Sequence, residues 1–316
     1  MMDRRMVLAL LIAGLVVLAA GPAFLSTHAI VLLTLIATTS IITSGLSIVT
    51  GLAGQITLAQ AAFCAFGAYG ATLMSSHAGI PMWVTIPVAT VITAFIGYCL
   101  GVMSLRVEGH YLALVTLAFA GIVNLGILNL ADLTGGAVGH AVEPFVFFGY
   151  PLVSPTALYY LSMVSALIAL WGVSNLIRSR WGRAFNALRQ SEVASMSLGV
   201  DVRRAKAVAF GLCAGLAALG GALQSLQTTY LDPVQFTILT GVSYLSVMVI
   251  GGLGRLSGAI IGAAIFVLMP DFLGAFKTYM GLIFAALLLG IIMIAPSGLG
   301  ELVSRHRWFK SPEATS

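Results

Sequence analysis

Neutral polar side chains punctuate a chain that is otherwise rich in Leu, Ile, Val and Ala. Gln55, Thr57, Gln60, Thr116, Asn124, Asn129, Gln224, Gln227, Ser243 and Ser246 all stand in apolar surroundings. Such groups donate and accept hydrogen bonds without titrating near neutral pH. The chemistry open to them is weak, reversible contact with a polar solute or with the backbone of another helix. Residue sets for harder chemistry are missing. The histidines form no HxxxH or HExxH pair, Cys64, Cys99 and Cys213 are far apart and never CxxC, and no Ser–His or paired-Asp set falls inside an apolar run. The expectation is a protein with no metal, no cofactor of its own and no catalytic residue, and an intramembrane enzyme is the weakest reading.

The elements that must hold these amides are dictated by composition. Hydrophobic residues make up 59% of the 316 positions and charged residues 8%, against roughly 25% charged in an average soluble domain. Apolar runs near the roughly 20 residues that span a bilayer recur from end to end, and they are continuous rather than alternating, so the fold class is all-α polytopic membrane protein. An amide facing lipid would leave donors and acceptors unpaired, so these groups must face neighbouring helices or a watery path. Helix-to-helix bonds of this kind stabilise by roughly 0.6–2 kcal/mol each, which leaves both roles open at any one position. Gln55, Gln60, Asn124, Asn129 and Gln224 are the candidates for a path.

Gly, Pro and charged interruptions divide the chain into ten expected spans, at 6–24, 28–49, 55–76, 82–104, 110–131, 155–177, 205–227, 236–252, 257–273 and 278–296. The run after "MMDRR" reads as a retained first span in preference to a cleaved signal. With the N-terminus inside, every Lys and Arg except Lys277 falls on the inner side, as expected when basic residues are held in the cytoplasm during insertion. Both termini are then cytoplasmic, and the +5 net charge reports topology, with no implication of nucleic acid. The longest outer loop, 132–154, carries Asp132, His140 and Glu143 among Gly and Pro and reads as an ordered external or re-entrant piece. His140 is expected to be a solvated loop residue.

Glycines 51 and 54, and again 251, 252 and 254, mark inner-side breaks between spans, each followed by a polar residue, Gln55 or Arg255, and then an apolar helix. Gly51, Gly54, Gly252 and Gly254 are the candidate helix breaks. Their echo suggests a duplicated unit, spans 2–5 matching 7–10, in a parallel repeat around a path. Gly67 and Gly70 allow close helix contact.

The one long polar segment is "RSRWGRAFNALRQSEVASMSLGVDVRRAK", residues 178–206. Phe185, Leu188 and Met196 recur at helical spacing, Arg189 and Glu192 can pair at i,i+3, and Gly199 stands where a left-handed C-cap is expected. Ala184, Ala187, Ala194, Ser195 and Ser197 offer a surface small enough for another protein to approach. Lying flat on lipid headgroups is the competing reading.

The stretch "WGRAFNALRQSEVASMSLGVD" resembles the cytoplasmic coupling loop of ABC importer permeases of the branched-chain amino acid family, the LivM type. "GLAGQITLAQAAFCAFGAYG" at 51–70, "LRVEGHYLALVTLAFAGIV" at 105–123, "GLAALGGALQSLQTTYLDPVQFT" at 215–237 and "SVMVIGGLGRLSGAIIGA" at 246–263 resemble the family in the same order. The resemblance implies a permease domain over 28–300, preceded by a cytoplasmic segment and first span at 1–27 and followed by a cytoplasmic tail at 301–316. It implies a bacterial inner (plasma) membrane protein that imports branched-chain or other hydrophobic amino acids. The partners implied are a homologous second permease, two ATP-binding cassette subunits and a periplasmic substrate-binding protein. ATP and Mg would sit on the ATPases. No Lys in the chain follows a Gly, so the phosphate-binding GxxxxGK[ST] pattern is absent. Coupling to the ATPases would fall to Arg183, Ala184, Leu188, Arg189, Glu192, Ala194, Ser195 and Gly199. The rival is a stand-alone secondary carrier or facilitator for a small polar solute such as urea or an amide, which the scarcity of carboxylates in the spans disfavours.

Overall fold

The computed structural model describes residues 25–103, 110–147, 150–152 and 154–272. Expected spans 6–24 and 278–296, and the tail 301–316, lie outside them. The other eight expected spans each coincide with a helix: α1 Thr27–Leu46, α2 Gln60–Ala78, α3 Met82–Met103, α4 His110–Asn129, α6 Pro155–Arg178, α9 Val202–Ser225, α10 Ile238–Gly251 and α11 Leu256–Phe272. Short helices α5 Ala131–Thr134, α7 Arg180–Gln190 and α8 Glu192–Ser197 lie between spans, and the strands β1 His140–Ala141, β2 Val146–Phe147, β3 Tyr150–Pro151 and β4 Tyr230–Leu231 are two residues long. Among the described residues, five helices, one of them α1 extended to Leu52, are long and apolar enough to cross a membrane. This is an all-α, multi-pass membrane protein.

Local chemistry fixes where the helices begin. Ser26 caps α1 by accepting from the Ala29 amide, Ser154 caps α6 just before a proline at its first turn, and Asp201 caps α9 by accepting from the Arg204 amide. Each supplies an oxygen to an amide that has no partner within its own helix.

Helix α9 is the hub. Nearly its whole length is buried, and it packs on α3, α2 and α1. Small residues make this possible: a Cβ on Gly67 would lie 2.0 Å from the Ala218 carbonyl oxygen, so α2 and α9 touch backbone to backbone. Around the hub, α3, α4 and α6 turn large apolar side chains outward, among them Phe95, Tyr111, Ile122 and Trp171, which suits a hydrocarbon surrounding.

The connections separate into two ends. At one, α7 and α8 meet the break after α1 and the break after α10. At the other, β1 pairs antiparallel with β4, placing His140 opposite Leu231, and the end of α2 joins them through Ser75 to Glu143 at 2.8 Å and Ser76 to His140 at 3.2 Å. His140 is thus half-buried and bonded, whereas the sequence suggested a solvated residue; loop pairing draws it onto α2. Arg178, Arg180, Arg183, Arg189, Arg203, Arg204, Lys206 and Arg255 belong to the first end, while the described connections of the second carry no Lys or Arg.

The helix order changes the reading of the glycine echo. The first break joins α1 to α2 and the second joins α10 to α11, so in a match of spans 2–5 with 7–10 the two are not equivalent. The counterpart of the first break there is the irregular connection 226–237, and an offset of five spans makes such a repeat inverted, where the sequence suggested a parallel one. The breaks resemble each other because both are sharp re-entries at one end of the protein, where glycine is needed for the same backbone reason.

Candidate coupling site

The π-helical turn Ser47–Leu52 widens the end of α1, with the Ala53 amide bonded to the Ile48 carbonyl at 3.0 Å and the Gln55 amide to that of Val49 at 3.0 Å. Gly54 then turns the chain with φ +70°, and an irregular stretch leads to α2. Thr57 is fully buried, and its hydroxyl accepts from the Ala59 amide at 3.3 Å; Thr116 of α4 accepts from the Leu58 amide at 3.0 Å. These hydroxyls satisfy backbone donors that no helix would.

The second break lies directly against the first. Gly252 and Gly254 have φ +112° and +77°, and a Cβ on Gly51 would come within 2.2 Å of the Gly254 nitrogen. Across this contact lies Arg189 from the end of α7, whose guanidinium donates to the Gly51 carbonyl at 2.7 Å. A Cβ on Gly54 would sit 3.1 Å from Arg189 Cγ. One side chain therefore spans the place where two membrane re-entries meet.

Helices α7 and α8 form the segment that carries Arg189. Ser179 caps α7. Phe185 and Leu188 are buried against Ile48, Val49 and Leu52 of the π-turn and Val202, Ala205 and Phe210 of α9. Ser191 interrupts the helix with extended backbone and caps α8 by accepting from the Ala194 amide at 3.3 Å. At the far end Gly199 takes φ +80°, its amide bonds to the Met196 carbonyl, and the Val200 amide bonds to that of Ser195, each at 3.0 Å. This is a Schellman closure.

The break at Ser191 corrects the expected Arg189–Glu192 pair. A continuous helix would have placed the two on one face, but the interruption turns them apart. Arg189 goes to the Gly51 carbonyl, and Glu192 goes to Lys206, 2.6 Å from its Nζ, and to Gln55, whose Nε2 donates at 3.3 Å. Ser195, expected on the outer surface, is buried and bonds back to the Ser191 carbonyl at 2.7 Å. Met196, expected on the packed face, is exposed. With Val193 and Leu198 it forms an apolar edge next to Ala194, their exposures running from 56% to 79%. Arg183 is exposed and Ala184 half-buried. A cleft of about 290 Å³ runs between the segment and the first break, lined by Gly54, Gln55, Ile56, Leu188, Arg189 and Glu192.

The five path candidates are not gathered into one chamber. Gln55 belongs to the cluster just described. Gln60 is fully buried: its Nε2 donates to the Ile42 carbonyl at 2.7 Å and its Oε1 accepts from Cys213 Sγ at 3.1 Å, which ties α2 to α1 and α9. Asn124 reaches the carbonyl of Phe236 at 3.4 Å, holding α4 to the turn before α10. Asn129 bonds within its own helix to Leu125 at 2.8 Å, and Gln224 is half-buried late in α9. In apolar surroundings the nearest partner for an amide is a helix carbonyl, and two of these five have taken one on a different element. Lys206 is the member of this cluster that sequence reading passed over, treated there only as one more inner-side charge. Its place one helical turn past the Asp201 cap, among alanines, was the available signal.

The family model described as branched-chain amino acid transport system / permease component matches residues 28–295. The chain is 31% identical over 313 residues to the high-affinity branched-chain amino acid transport system permease protein LivM of Escherichia coli K12, covering 92% of this chain and 74% of that protein. It is 25% identical over 285 residues to LivH of the same organism, covering 84% and 92%, and 26% identical to the ribose import permease protein RbsC of Haemophilus influenzae, covering 95% and 94%. No solved structure matches it significantly. The chain belongs to the branched-chain amino acid transport permease family.

Proposed function

We propose that this protein is the permease subunit of an ATP-driven importer for branched-chain or other hydrophobic amino acids in a bacterial inner membrane. The observation that carries the reading is Arg189 seated across both glycine breaks. A peripheral helix pair with an exposed apolar edge is joined there to the re-entry points of two pairs of membrane helices, α1 with α2 and α10 with α11. A push on Val193, Met196 and Leu198 from outside the membrane reaches both pairs at once. The ATPase subunits are the source of that push, with ATP and Mg bound on them, and a second permease completes the path. Similarity to both LivM and LivH, two differently named permeases of one transport system, supports the paired arrangement.

The end bearing α7 and α8 is cytoplasmic, because it holds the basic residues, and both termini share that side. The domain 28–300 is the permease unit. The packing of α1 on α11 and of α9 on α3, with α2 on α3 and α10 on α11, supports two related halves. Since the proposed halves start five spans apart, they run in opposite senses through the membrane, and the path lies between them.

Uptake into vesicles tests the reading. Reconstituted with its ATPases, a second permease and a periplasmic binding protein, the subunit supports ATP-dependent leucine uptake that survives collapse of the proton gradient. Uptake that persists without ATPases and stops with the gradient would instead identify a secondary carrier.

A further inference from the structure

Lys206 is the one Lys or Arg among the described residues that is buried, at 2% exposure. A buried ammonium is tolerated when it is paired and hydrogen-bonded. Its partner here is Glu192 Oε1 at 2.6 Å, and the same oxygen accepts from Gln55 Nε2 at 3.3 Å. One carboxylate oxygen thus joins three elements: the first residue of α8, the stretch after the first glycine break, and the second turn of α9.

The importance of that junction follows from where α9 leads. Beyond Lys206 the helix presses on its neighbours through small residues. A Cβ on Gly101 would lie 2.6 Å from the Ala207 Cα, and one on Gly97 would lie 2.3 Å from the Ala214 Cβ. With contacts this close, α9 cannot slide or turn without carrying α3 with it. An exposed ion pair would exchange with water and transmit little. This pair resists separation because one partner has no access to water.

We infer that the Glu192–Lys206 pair is the latch that delivers movement of the α7–α8 segment to the hub helix, with Lys206 as a positioning residue for transport. The inference rests on the reading of that segment as the contact with the ATPases. Arg189 holds the segment to the glycine breaks, and Lys206 holds it to α9. Phe185 and Leu188 pack α7 on α9 as well, but among the described residues only the ion pair fixes α8 to the hub, and without it α9 follows the segment less closely.

The test uses the assembled complex in vesicles and reads leucine uptake per ATP hydrolysed for Lys206→Met, Glu192→Gln and the exchange Glu192→Lys with Lys206→Glu. Lys206→Met keeps the stem length and suits the buried site. The expected result is normal co-purification with the ATPases, continued hydrolysis, and uptake per ATP reduced by about tenfold, the scale of a contacting pair's coupling. The exchange should recover a large part of the loss. A loss of protein without a change in this ratio would mean that the pair only stabilises the fold and would overturn the proposal, as would an exchange no better than the single variants. Should Lys206→Met fail to accumulate, Glu192→Gln, at a partly exposed position, carries the same reading. Failure of the wild-type chain to co-purify with ATPases would strike the parent reading and not the latch.

Discussion

Arg189 donates a 2.7 Å hydrogen bond to the carbonyl of Gly51, and Gly51 in turn lies against Gly254, so one guanidinium closes over two membrane re-entries that are about 200 residues apart in the chain. A charge-assisted bond to a carbonyl contributes about 1.5–3 kcal/mol. Arg189→Ala should therefore loosen the segment without unfolding the spans. Binding-protein-stimulated ATP hydrolysis by the assembled complex is expected to fall several-fold, with membrane insertion unchanged. Equal stimulation in the variant would remove Arg189 from the coupling route.

The abutting breaks predict a steep difference between glycines. Gly51→Ala would put a Cβ 2.2 Å from a backbone nitrogen, and the breaks would have to separate, whereas Gly70→Ala would meet the Ala89 Cβ at an ordinary 3.4 Å. In thermal melts of the detergent-solubilised protein, the first variant should lose about 1–3 kcal/mol, in the range of overpacking, and the second should be near neutral.

The Schellman closure at Gly199 depends on φ +80°. Proline is locked near −65° and has no amide to give Met196, so Gly199→Pro breaks the link from α8 to α9. Insertion should proceed normally while substrate-stimulated hydrolysis falls. Gly199→Asn, which tolerates the left-handed region, should retain most of the activity.

Gln60 separates a structural role from a transport role. Its amide is occupied on both sides by Ile42 and Cys213, so Gln60→Leu should lower the melting temperature by removing two inter-helix bonds, each contributing about 0.5–1.5 kcal/mol. The order in which leucine, isoleucine and valine are taken up should not change. A changed order would put this residue on the substrate path.

Much of the architecture could be read from the residues. Apolar run length and the placement of Lys and Arg located the eight described spans, because both respond to the bilayer and not to the partners that a helix meets. The helical character and the capping glycine of the 178–206 segment were also visible, since its apolar spacing and Gly199 lie in one stretch. What stayed hidden was pairing across the fold. Arg189 and Glu192 suggested a local pair, and Ser191, a good helix cap in mid-segment, was the sign that they would turn apart. Gln60 looked like a path residue because its deep position is compatible with either role, and its bonds to Ile42 and Cys213 came into view only with the fold. Lys206 appeared to be one charge among many until α9 was seen to bury it.

The central claim is that the α7–α8 edge is where the ATPases push. It is tested most directly by placing a photo-crosslinker at Leu198→Cys and, separately, at Val138→Cys near the opposite end, both in a Cys99→Ser background that leaves Cys64 and Cys213 buried. In the active assembled complex, the label at 198 is predicted to crosslink to an ATPase subunit and the label at 138 is not. Absence of a crosslink from 198 in a complex that still hydrolyses ATP and takes up leucine would contradict the account.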